Sequence, residues 1–171
     1  ARSISIVVND GALNSNAVSR SVTINKIPVL VSNSLAIGQA QTVVLSTSQL
    51  SASDDTASAS ALQFTVSNVQ QGEFRLNGIV ATSFTQQDIV NGKVSFVHDG
   101  STMAPSYAVS VSDGELTSIS QAASVSFNRI PVLVNNSLSI GQAQTVVLTA
   151  SQLSASDDHA SDTDLQFTVS N

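Results

Sequence analysis

The chain has 171 residues, 42% of them hydrophobic, so it can bury a core; with no Cys it can form neither a disulfide framework nor a Cys-based zinc site. Twelve acidic residues against six basic ones give a formal net charge of −6, and with no basic run this argues against a nucleic-acid face. The longest apolar runs are about four residues, far short of the roughly 20 needed to span a bilayer as a helix, so this segment is expected to make no membrane contact.

In chain order, the spacing predicts short strands over Ser3–Val8, Val18–Ile24, Thr42–Leu45, Leu62–Val66, Glu73–Leu76, Val94–His98, Tyr107–Val111 and Ala123–Phe127. Several alternate apolar and polar residues, as in Phe64-Thr65-Val66, which places one face inward and the other in water. Asp10-Gly11, Asn77-Gly78, Asn91-Gly92, Asp99-Gly100 and Asp113-Gly114 supply turns. No stretch holds a 3.6-residue period; Thr85–Asp88 and Ser46–Gln49 can each cap one helical turn. Seven or so short strands per hundred residues predict an all-β, antiparallel Greek-key sandwich, with a core of Val, Leu, Ile and about three Phe.

The chain also repeats itself. Ala1–Asn68 aligns without a gap on Ala104–Asn171, an offset of 103 residues, with 44 of the 68 pairs identical. That period is too long for a solenoid unit and suits small domains in tandem. Pro28 and Pro131 follow Asn25-Lys26-Ile27 and Asn128-Arg129-Ile130, and proline suits a short link. On that division, 1–25 closes one repeat, 26–128 is a complete repeat, and 129–171 opens the next. The alternative takes 1–68 and 104–171 as matched units joined by 69–103.

The residues Phe84-Thr85-Gln86-Gln87-Asp88-Ile89, then Gly92 to Ser101 with His98-Asp99-Gly100-Ser101, then Val111-Ser112-Asp113-Gly114 resemble the cadherin-like repeat of the chondroitin-sulfate-proteoglycan (CSPG) type. Leu50 to Asp55 followed by Leu62-Gln63-Phe64-Thr65-Val66 is similar to its upstream segment. The resemblance implies a seven-stranded cadherin-like sandwich. Near-identical copies, abundant Ser and absent Cys look like the giant bacterial surface adhesins of the RTX type, although the RTX nonapeptide itself is absent.

The resemblance also implies calcium, which takes six to eight oxygen ligands from acidic loops at strand ends. Matched by motif, the candidate ligands are Asp54, Asp55, Asp157, Asp158, Asp88, Asp99, Asp113 and Asp10, with Asn128 and Asn25 at the link. The link lacks the acidic run of true cadherins, and Arg129 puts a positive charge there. The alternative for these Asp residues is turn capping. Asp162 and Asp164 have no acidic counterparts at Ala59 and Ala61, so they read as a variable solvated loop.

No enzyme is expected. His98, Asp99 and Ser101 are near neighbours on a strand and turn and cannot converge as a triad must, so His98 reads as a half-exposed strand-end residue. The expected function is structural: spacer repeats of an extracellular, cell-surface adhesin. They would contact neighbouring repeats of their own chain and reach a host surface or biofilm component through other domains. The alternative is a weak glycan- or protein-binding module that gains avidity from the array.

Overall fold

The computed structural model describes residues 2–161 and 163–170. Strands dominate it. β1 (Arg2–Ile6) and β2 (Val18–Val22) form an exposed hairpin. β3 (Val29–Gly38), β4 (Thr42–Val44), β5 (Leu50–Ser53), β6 (Gln63–Gln70), β7 (Gly72–Leu76), β8 (Ile79–Val80) and β9 (Ser83–Thr85) follow. After the single-turn helix α1 (Gln86–Val90) come β10 (Val94–His98), β11 (Ser106–Ser112), β12 (Gln121–Ala122) and β13 (Ser124–Asn128). β14 (Val132–Asn136) and β15 (Leu153–Ser156) pair beyond them.

β3 to β13 build three sheets with strand orders β4-β10-β7-β8, β12-β11-β6-β9 and β13-β3-β5. Their inward residues make one core, and every fully buried apolar side chain of the described residues from Leu35 to Val111 joins it. Phe74 is its hub: its ring lies 5.0 Å from Phe96 and 4.8 Å from Tyr107, both edge-on, and 5.8 Å from Phe84. Each such pair contributes about 0.5–1.5 kcal/mol beyond the area it buries. The core thus holds four Phe and Tyr107, more aromatic than expected.

The tight places need glycine. A Cβ on Gly72 would lie 2.5 Å from the Val97 carbonyl oxygen and 2.6 Å from the Phe96 ring. Asn77 (φ 51°) and Gly78 (φ 82°) form the left-handed pair that closes β7 onto β8.

Among the described residues, every strand pair is antiparallel except one. β13 runs parallel to β3, pairing Ser124 with Ser34 and Asn128 with Gly38. This departs from a purely antiparallel sandwich and has a geometric consequence. Val29 stands at one end of β3, and Asn128 stands beside Gly38 at the other. A ten-residue strand spans about 33 Å, so the chain comes into this body at one end and leaves it at the opposite one.

Thr85 and Asp88 cap α1 reciprocally, as expected. Ser46–Gln49 makes only a turn, with Gln49 and Leu50 N–H both donating to the Ser46 carbonyl. The expected strands do not include the short β8, β9 and β12, the later-copy pair β14 and β15, or β3 and β5. β3 carries a bulge between Leu30 and Ser32 that shifts its alternation by one residue, and β5 is the small, polar run Leu-Ser-Ala-Ser.

Candidate functional site

The loop after β5 opens with two adjacent acids that take different partners. Asp54 Oδ1 accepts the backbone N–H groups of Thr56 (2.9 Å) and Ala57 (2.7 Å). The Ala57 bond and then the Thr56 bond hold its carboxyl below the ordinary aspartate value, while desolvation and, more weakly, the Asp113 charge push the other way. Its second oxygen, Oδ2, is buried without a hydrogen-bond partner. Asp55 instead faces the link, with Lys26 Nζ 3.2 Å from its Oδ2.

The later copy repeats this division. Asp157 Oδ1 accepts from His159 N (2.8 Å) and Ala160 N (2.7 Å), and its Oδ2 is again buried and unpartnered. Arg129 Nε lies 3.0 Å from Asp158 Oδ2. Adjacency of the two acids therefore does not bring both to one point: the first caps its loop and the second pairs with the link cation.

Asp113 reaches the same end from the turn after β11, where its Oδ1 accepts from Glu115 N (2.8 Å) and Leu116 N (2.7 Å). Asn25 lies between the acids. Its Nδ2 donates to Asp113 Oδ2 (2.8 Å) and Glu115 Oε2 (3.0 Å), and its Oδ1 accepts from Thr56 Oγ1 (3.2 Å). Thr23, Asn25, Thr56, Ala57, Asp113 and Glu115 line an open cleft of about 550 Å³. The structure thus brings Asn25, Asp54 and Asp113 to one end and adds Glu115 and Thr56, which the motif comparison did not single out.

Among the described residues, no group of three or more His, Asp and Glu side chains is already gathered tightly enough to hold a metal ion. The Asn25 amide bridges the two nearest carboxylates. The donor set still fits calcium, because every donor is a hard oxygen and Asp54 Oδ2 is a buried acceptor that the chain itself leaves unsatisfied.

The other expected ligands stand apart. Asp10 Oδ1 caps its own hairpin turn through Ala12 N (2.9 Å) and Leu13 N (2.8 Å). Asp88 Oδ2 accepts from Thr85 Oγ1 (2.7 Å) and Thr85 N (3.0 Å), and Lys93 Nζ lies 3.8 Å from its Oδ1. Asp99 follows β10 at the end of the body opposite Asp54 and caps Ser101 N (2.9 Å). Asn128 is at that same far end, its carbonyl accepting from Gln39 N (2.8 Å). Asp162 lies outside the described residues, and Asp164 Oδ2 accepts a local bond from Ser161 Oγ (2.6 Å).

His98 is not half-exposed but fully buried, with its ring stacked on Phe127 at 4.8 Å. Its Nδ1 accepts two backbone N–H bonds, from Gly100 (2.9 Å) and Ala40 (3.3 Å), so Nε2 carries the proton and donates to the Met103 carbonyl (3.1 Å). An imidazole committed in this way shapes a turn.

Comparison with known proteins agrees with this architecture. Extracellular matrix protein 3 of Lytechinus variegatus is 36% identical over 85 residues, which is 49% of this chain and 3% of that protein. The chain therefore spans only a small fraction of that relative's length. No solved structure matches it. The cadherin-like family matches residues 28–127, the stretch that contains β3 to β13 and its core, and the chain belongs to that family.

Proposed function

We propose that the chain is a run of spacer repeats from a long extracellular adhesin of the bacterial RTX type, extending a terminal ligand-binding region away from the cell surface. The parallel pairing of β13 with β3 carries this reading, because it puts incoming and outgoing chain at opposite ends of the body. Units joined this way add their lengths instead of folding back. Residues 26–128 form one such unit, which the placement of the buried core supports. The extracellular setting leans on family membership and on the name of the Lytechinus variegatus relative.

In this role each unit contacts chiefly its neighbours in the same chain, and other domains meet the host surface or biofilm component. It acts without catalysis. Calcium stiffens the joint: Asp54, Asp113, Glu115 and Asn25 would hold it, and the ion would supply positive charge among carboxylates that otherwise repel. Small-angle scattering on this chain tests the spacer reading. An extended profile is expected, with a radius of gyration well above the roughly 16 Å of a compact chain of this length. A compact profile overturns it.

A further inference from the structure

The outgoing end of the repeat is held by different chemistry from the acidic cleft, and one residue dominates it. Gln39 follows β3 directly and is half-buried. Its backbone N–H donates to the Asn128 carbonyl at 2.8 Å. Its carboxamide works in both senses: Nε2 donates to the Gly100 carbonyl (2.9 Å), and Oε1 accepts from Ile130 N–H (3.1 Å). One side chain therefore ties the turn after β10 to the second residue past β13. A carboxamide suits this place because it both donates and accepts; a carboxylate only accepts and an ammonium only donates. The turn it grips is itself fixed, because His98 Nδ1 accepts from Gly100 N–H and Ala40 N–H while its ring stacks on Phe127.

We infer that Gln39 is a positioning residue for the link between repeats: a neutral clamp that sets the direction of Ile130 relative to the preceding body without a bound cation. This inference rests on the reading that successive repeats lie end to end. Asp158 also holds this link, through its ion pair with Arg129 and a 3.3 Å bond from the Arg129 N–H to its Oδ1; the ion pair is exposed on the arginine side and open to salt screening. The Gln39 bonds are uncharged, the one to Gly100 half-sheltered and the one to Ile130 exposed, so neither depends on salt or on a cation. The same residue type stands at the equivalent place in the later copy, as Gln142.

The sequence offers its own readout. Trypsin cuts after Arg129, at the bond whose N–H Gln39 holds, and after Lys26, at the equivalent bond that Gln39 does not touch. Limited digestion of the full chain is followed at both bonds, with calcium or chelator and in low or high salt. In Gln39→Ala, cleavage at Arg129–Ile130 should rise about tenfold, the loss of two hydrogen bonds from the local closing equilibrium, with Lys26–Ile27 unchanged. Gln39→Glu should loosen the same bond, because it cannot donate to Gly100. Wild-type protection in either variant overturns the clamp. So does a parallel rise at both bonds, which would mean general unfolding. An extended scattering profile with no Gln39 effect removes the clamp alone, and a compact profile with the Gln39 effect intact removes the spacer reading alone.

Discussion

The two copies of one sequence behave differently along this chain. Val29–Gly38 and its counterpart 132–141 differ only by Ser32/Asn135 and Ala36/Ser139, yet the first makes a ten-residue strand and the second stops at Asn136 after five. Leu35 is 1% exposed and Leu138 is 61%; Phe64 is 0% exposed and Phe167 is 44%. The difference lies in what packs against them. In the first copy β13 pairs with the second half of β3, and β11 pairs with β6. No described strand fills those places in the second. Strand length and burial are thus set by partners far away in sequence, and propensity alone does not carry them.

The comparison can be broken most forcefully in the core. Phe64→Ala should cost the first copy about 3–5 kcal/mol, while Phe167→Ala should change stability by less than about 0.5 kcal/mol, both read by chemical denaturation. Equal effects would mean that the second copy is as well packed as the first. Calcium sharpens the comparison next. At affinities of roughly 10⁻⁴ to 10⁻³ M, 10 mM calcium should add on the order of 1.4–2.7 kcal/mol per site. Asp54→Asn should abolish the calcium-dependent rise in melting temperature, and Asp10→Asn should leave it intact, because Asp10 lies in a separate hairpin turn. A rise that survives Asp54→Asn would remove the cleft as the site.

The cap of α1 is a smaller effect. Thr85→Ala should cost about 1 kcal/mol. The Thr85 hydroxyl, then the Thr85 N–H, hold Asp88 below the usual carboxylate range. Its contribution is therefore complete above about pH 4, where the unfolded chain is ionised, and is lost as pH falls through the depressed native value. Asp88→Asn should flatten that acid limb of the stability curve.

Much of the fold was legible in local pattern. Val94–His98 is a short Val- and Phe-rich run between Asn91-Gly92 and Asp99-Gly100 and is a strand over those same residues, and Thr85 and Asp88 have the spacing of a cap and form one. β3 was hidden by its bulge, and its parallel partner depends on which strands meet, information that alternation does not hold. The candidate site was half legible. Motif matching found Asp54 and Asp113, but the division between Asp54 and Asp55 depends on Lys26 arriving from the link. Gln39 carries no charge and sits in no acidic loop; its recurrence as Gln142 is the one trace it leaves in the sequence.

The central claim is geometric: chain comes in at one end of the body and leaves at the other. The absence of native Cys allows clean double labelling at Val29→Cys and Ile130→Cys, both exposed positions, for a pulsed electron-spin distance measurement. The account predicts a single narrow distribution near the span of β3, about 35 Å. A distribution centred below about 20 Å would put both links on the same side of the body and contradict the spacer architecture.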